Sequence, residues 1–174
     1  MAVPLYDVTI GTYLQQLNAT GKFLAKSREH FESNNIDLQT LVEARICDDM
    51  LPLSFQVGSV VHHSARAVDA LISGTFGVPS APDDINYGGL EGLISDAIEH
   101  LKSIDKETIE QCSGKEIIFS VGDRKLPFTA EGFVLSFSLP NVFFHATTAY
   151  DILRGKGAPI GKRDYLGNLK MKES

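Results

Sequence analysis

The stretch "LEGLISDAIEHLKSIDKETIEQCSGKEIIFSVGDRKLPF", Leu90 to Phe128, changes its period halfway. In its first half Leu90, Leu93, Ile94, Ala97, Ile98, Leu101 and Ile104 recur at helical spacing, with Glu91, Asp96, Glu99 and Lys102 mostly outside the stripe. That is one apolar face of an amphipathic helix. In its second half Ile117, Phe119 and Val121 alternate, Gly122-Asp123 supplies a turn, and Leu126 and Phe128 continue beyond it. Alternation with a two-residue turn predicts a hairpin. An isolated hairpin is marginal in water, so this one must pack on something.

The chain on either side is helical. From Val8 to Phe31, Ile10, Tyr13, Leu14, Leu17, Leu24 and Phe31 share a face, with Asp7 and Thr9 as candidate caps. "SNNID", Ser33 to Asp37, stops that helix, and a short turn is expected from Leu38 to Glu43. A second helix follows Pro52, which suits a first turn because its missing N–H costs nothing there. Its face is Leu53, Val57, Val60, Val61, Ser64, Val68 and Leu71, and Gly74 ends it. "TFGVPSAPDDINYGG", from Thr75, reads as a loop, and "TAEGFVLSFSL", from Thr129, as either helix or strand. In the last helix Val142, Ala146, Ala149, Tyr150 and Leu153 align, and Gly155 and Gly157 close it. Four such stripes interrupted once predict a mainly α protein: a single helical-bundle domain over residues 1–174, with a small β-hairpin before the last helix.

Composition narrows the partners. The chain has 174 residues, 43% of them hydrophobic, and a formal net charge of -6. It carries no basic stripe of the kind nucleic acid needs. Lys156, Lys162, Arg163, Lys170 and Lys172 read as a solvated tail. No apolar run approaches the roughly 18 residues of a membrane span. Cys47 and Cys112 lie in no C-x-x-C and follow no secretory signal, which predicts two reduced thiols and a cytoplasmic protein. Phosphate-loop, zincin and nucleophile-elbow motifs are missing, and "GKGAPIGK" follows a helix where a phosphate loop would follow a strand.

Two blocks say more. "ARICDDMLPLSFQV", Ala44 to Val57, and "LPNVFFHATTAYDILRGKGAPIGKRDYLG", Leu139 to Gly167, resemble the signature blocks of a family of unknown function found in bacteria and fungi. That family is grouped with the DinB/YfiT-like four-helix bundles, and the resemblance covers nearly the whole chain. It implies an up-down bundle in which several relatives hold a divalent metal, such as zinc or nickel, with histidines. Those relatives carry one histidine on the second helix and H-x-x-x-H on the last. Here His145 is present, but the position four later is Ala149. The pair that would aim two imidazoles at one ion is broken.

The candidate chemistry centres on His145, whose position flanks the apolar stripe so that its ring can reach the interior. On the second helix a uniform wheel places His62 and His63 on either side of the apolar face, so only one faces inward well. The wheel favours His63, on the side of Gln56; the resemblance places His62 where many relatives have an aspartate. Asp48 and Asp49 precede Pro52 and read as helix-capping carboxylates, with Asp49 as a candidate to orient a histidine. Tyr13, Met50, Gln56, Phe143, Phe144 and Tyr150 are the candidate substrate-binding residues. His30 and His100 read as surface residues.

Three functions follow as expectations. One is a metal-independent isomerase- or lyase-type enzyme with no cofactor, acting by proton transfer through His145, with His63 and Asp49, on an apolar or aromatic substrate. The second is a metalloenzyme using His145 with His62 or His63. The third is a non-enzymatic bundle that binds a ligand or protein. A homodimer is compatible with all three.

Overall fold

The computed structural model describes residues 3–82 and 84–172. A single turn, Leu5–Val8, leads into α1, Ile10–Ser33. Neither expected cap forms in the usual way: Thr9 stands between the two helices, and its hydroxyl donates back to the Leu5 carbonyl at 2.7 Å. Glu110 instead accepts from the backbone N–H groups of Leu5 and Tyr6, satisfying two free donors of that first turn. Asn34 ends α1, and Asn35 takes the left-handed conformation that an asparagine tolerates. The short turn Leu38–Val42 follows, capped by the Asp37 side chain.

The second rod is interrupted. It begins as α2, Leu53–Val61, widens into a π-helical turn π1, His62–Arg66, and ends as α3, Ala67–Ser73. Pro52 is its N-cap residue and no side chain caps it, so Asp48 and Asp49 do not have the capping role their position suggested. Ser64 offers a physical reason for the widening. Its hydroxyl donates to the Val60 carbonyl at 2.6 Å and lies 3.3 Å from that of Val61, competing for acceptors the α-helical N–H ladder would use. Gly74 stops the rod at φ 81, where a Cβ would be strained.

The segment expected to be a loop supplies a strand, β1, Thr75–Phe76. α4, Tyr87–Ser103, follows, with the Asn86 side chain accepting from Gly89 N–H. β2, Glu116–Val121, and β3, Arg124–Thr129, form the expected hairpin around Gly122 and Asp123, in a register that pairs Ile117 with Phe128 and Phe119 with Leu126. β1 adds to β2 in parallel, so the hairpin belongs to a three-stranded sheet of order β1-β2-β3. Pro127 sits on the outer strand, where its missing N–H breaks no ladder.

The ambiguous stretch after the hairpin is helical: α5, Ala130–Phe133, then a second π-helical turn π2, Val134–Ser138, then α6, Leu139–Gly155. Pro140 cannot donate to the preceding turn, and the Ser136 hydroxyl occupies the Gly132 carbonyl; both favour a widened turn there. The four rods make an up-down bundle. α1 packs on α4 and α6, and α2 lies between α4 and α6. Its core includes Tyr13, Leu17, Phe23, Leu24, Leu53, Leu90, Ile94 and Phe133, each almost fully buried. The final turn, Lys162–Leu166, folds back over α1, held by Lys26 to Asp164 at 3.1 Å and by Gln15 donating to the Leu166 carbonyl.

Candidate active site

The two widened turns meet. Ser138, the last residue of π2, donates its hydroxyl proton to the carbonyl of His63 in π1. That proton is then committed, so the Tyr13 hydroxyl, 2.6 Å away, must donate to Ser138 Oγ. Burial raises the Tyr13 pKa, which keeps the donor protonated. A buried chain from α1 through π2 thus holds the backbone of π1. Tyr13 is part of this scaffold, away from the role of substrate contact that sequence suggested.

The π turn changes which histidines share an environment. On a uniform α-helix, adjacent residues diverge by about 100°. The wider turn lessens that divergence, and the His62 and His63 rings stand edge to face with centroids 5.1 Å apart, both against Phe76 at 4.5 and 5.7 Å. Of the two, His63 is the buried ring, as the wheel favoured, and His62 is half-buried, yet both belong to one cluster. His63 is 3% exposed, and its ring lies 5.7 Å from that of His145 with only 9° between the planes. Phe137 closes the same space, its ring 5.6 Å from His63.

Hydrogen bonds fix two tautomers. His62 Nε2 lies 2.9 Å from the Gly77 carbonyl, which can only accept, so Nε2 carries the proton and Nδ1 keeps a lone pair. Gln56, 3% exposed, donates its Nε2 to the Leu51 carbonyl at 2.9 Å. Its Oε1 is the remaining group and faces His145 Nδ1 at 2.8 Å. Nδ1 is the donor in that bond, and His145 Nε2 keeps the free lone pair. His63 Nδ1 is buried without a partner.

Electrostatics keep the cluster neutral. Burial, reinforced by the neighbouring His62, lowers the His145 pKa to about 4. Burial, then His62 and His145, lowers that of His63 to about 3. Burial also lowers His62, against the opposing effect of its bond to Gly77. A charged imidazolium loses its hydration here and gains no carboxylate in exchange.

Three imidazoles are a donor set suited to zinc or nickel, whose ligands must aim in-plane lone pairs at one point about 2 Å away. The residues do not fit that requirement as they stand. The rings of His63 and His145 lie in nearly parallel planes 5.7 Å apart between centroids, so their in-plane lone pairs do not converge on one point; the His62 bond to Gly77 leaves its Nδ1 available and is no obstacle. Ala149 is buried and offers no donor. Among the described residues, no group of three His, Cys, Asp or Glu side chains is placed to hold a metal.

The other expected residues divide. Gln56 joins the site, and Phe144 presents its ring edge-on to His145 at 5.2 Å while remaining 58% exposed. Phe55, not anticipated, does the same at 5.9 Å. Phe143 is 41% exposed and Met50 half-buried. Tyr150 packs between Phe23 and Tyr165, at 6.1 and 6.0 Å, outside the histidine cluster. Asp49 is exposed beside Cys47, whose thiol pKa it raises. His100 pairs with Asp69 at 2.7 Å, a partner 31 residues away that no local pattern announces. Sequence reasoning missed Ser138, Phe76, Phe137 and Gly77; the signal within reach was Pro140 inside a helical stretch, which marks an irregular turn just before it.

Comparison with known proteins agrees with this architecture. A family described as "Domain of unknown function (DUF1993)" matches residues 5–166. A DinB family member from Shewanella denitrificans, known from a crystal structure at 1.83 Å, superposes with a TM-score of 0.83 at 25% identity, over 98% of this chain and 96% of that one. No curated protein matches. None of the described helices is long and apolar enough to cross a membrane.

Proposed function

The chain belongs to the DUF1993 family, and from that premise we propose that it binds a small apolar or aromatic molecule at the His62–His63–His145 cluster and acts on it by proton transfer, with His145 Nε2 as the proton acceptor. The observation that carries this reading is the Gln56 bond to His145 Nδ1. A general base needs a neutral ring, a defined tautomer and a free nitrogen. Burial supplies the first and Gln56 the second. Half-burial of His145 leaves room for the third. Gln56 is then a positioning residue, and Phe55 and Phe144 are apolar walls.

The test reads the ring directly. Nitrogen NMR of 15N-histidine-labelled protein is expected to find His145 as the Nδ1–H tautomer, still neutral at pH 6. Gln56→Leu removes the acceptor and is expected to release the ring into a mixture of tautomers. Finding His145 in the wild type as Nε2–H, or titrating near 6.5, would falsify the reading. On any substrate then identified, His145→Gln keeps a polar amide without titration, and His145→Phe keeps bulk alone. Full turnover in both removes His145 from the chemistry; stability without turnover in the Gln variant supports it.

The metal-dependent alternative makes the opposite forecast. Purified protein is expected to retain well below one equivalent of zinc or nickel after dialysis against a chelator, because the stacked rings leave no converging set of lone pairs. One retained equivalent, lost on His145→Ala, would replace proton transfer with metal chemistry.

A further inference from the structure

We infer that the histidine cluster selects neutral ligands that donate a hydrogen bond from a flat apolar body, the chemistry of a phenol, and discriminates against carboxylates of the same shape. This inference rests on the functional reading above and names the class of ligand.

The argument is a count of protons. His145 has one ring N–H, and Gln56 Oε1 takes it. Gln56 cannot rotate its amide to offer a donor instead without losing its own bond to the Leu51 carbonyl. His62 likewise has one ring N–H, and the Gly77 carbonyl takes it. The hydroxyl protons of Ser138 and Tyr13 are used within the scaffold. His63 carries the one ring N–H of the cluster that no bond uses, on a ring only 3% exposed. What the two more exposed rings, His145 and His62, retain for a ligand is a lone pair each, at Nε2 and Nδ1. A carboxylate brought to such a group is an acceptor facing an acceptor and leaves both unsatisfied. A hydroxyl or N–H satisfies one.

The single cation on this turn does not reverse the preference. Arg66 is committed to Asp69 at 3.2 Å, and its side chain is 69% exposed. Asp69 is shared in turn with His100. The walls set the ligand's other half. Phe55 and Phe144 meet the His145 ring edge-on, and the His63 ring lies nearly parallel to it at 5.7 Å. Such surfaces favour an aromatic ring, which packs edge-to-face or offset.

Three probes of one shape separate the contributions: 4-methylphenol, toluene and benzoate, each titrated into 15N-histidine-labelled protein at neutral pH. The expected result is a saturable shift at His145 Nε2 with 4-methylphenol, at a concentration about tenfold lower than benzoate requires, the ratio one good hydrogen bond gives. Toluene is expected to bind more weakly than 4-methylphenol and to leave Nε2 nearly unmoved. His145→Phe should bring 4-methylphenol and toluene to equal affinity, read at the His63 ring. Benzoate binding as tightly as 4-methylphenol, or 4-methylphenol giving no saturable shift, would overturn the inference. The ligand-free spectrum keeps the two claims apart. If His145 is Nδ1–H there and the phenol is still not preferred, only the ligand class fails. If His145 is Nε2–H, the functional reading fails first.

Discussion

Lowering the pH from 6.5 to 4.5 is expected to destabilise the folded protein, with His63 as the largest single contributor. The fold holds His63 neutral down to about pH 3, against an ordinary value of 6.5. Between those values the unfolded chain binds a proton that the folded chain refuses. The associated stability is complete above pH 6.5 and is lost progressively as pH falls toward 3, at up to about 1.4 kcal/mol per pH unit for one such histidine. His145, lowered to about 4, acts in the same direction over the upper part of that window, and His62 is lowered as well. The carboxylates that the fold stabilises, Asp105, Asp164 and Glu131, sit below ordinary values of 3.8 and 4.5 and so act at lower pH. Glu91, raised by burial, has the opposite sign. Urea unfolding at pH 6.5, 5.5 and 4.5 spans the histidine window, and the Glu91 effect within it is common to the two proteins compared. His63→Phe keeps an aromatic ring against Phe76 and Phe137 while removing the titration, and its midpoint should fall less steeply than that of the wild type. Parallel declines in the two proteins would show that His63 protonates freely in the fold.

How far the sequence reached follows from the length of each signal. The helix bearing Leu90 to Leu101 repeats its apolar face over several turns, and the Ile117 to Phe128 hairpin alternates long enough to be read. β1 is two residues, Thr75–Phe76, too short to show any period. It exists because β2 offers an edge, which is tertiary information. The π turns escaped for a different reason. A helical wheel assumes one angle throughout, and Ser64 and Pro140 break that assumption just where the site is built. That is why the wheel could favour His63 as the inward ring, which burial bears out, without showing that the His62 ring stands against it. Gln56 and His145 could each be named from the sequence, but the bond between them spans 89 positions. With a single sequence, only chain-local patterns are legible, and the donor count that defines the site is not chain-local.

Replacing Phe133 by Ala is expected to cost about 3–5 kcal/mol, the range for truncating a fully buried aromatic ring. Phe133 is 0% exposed and stands where sheet and bundle join. Its ring meets Phe76 of β1 at 5.0 Å, Phe128 of β3 at 6.0 Å and Phe137 of π2 at 5.7 Å. Phe76 and Phe137 are the two phenylalanines that also meet His63. The hairpin is therefore attached to the bundle through the same aromatic layer that backs the histidines, which answers the question of what a marginal hairpin packs on. A cavity at Phe133 removes dispersion contacts from both sides of that layer, leaving Ile117 and the rings of Phe119 and Phe128 against Phe137 to hold the small sheet. The expected signature is a lowered denaturation midpoint together with faster amide exchange in Ile117–Val121 than in α1, since α1 lies outside the layer. Phe133→Leu, which refills part of the volume, should recover much of the loss. Phe143→Ala, at a ring 41% exposed, should change stability by no more than about 0.5 kcal/mol and serves as the control. A cost below about 1 kcal/mol for Phe133→Ala, or exchange that rises equally in α1, would mean that the sheet is held without Phe133 and that the wall behind His63 does not depend on it.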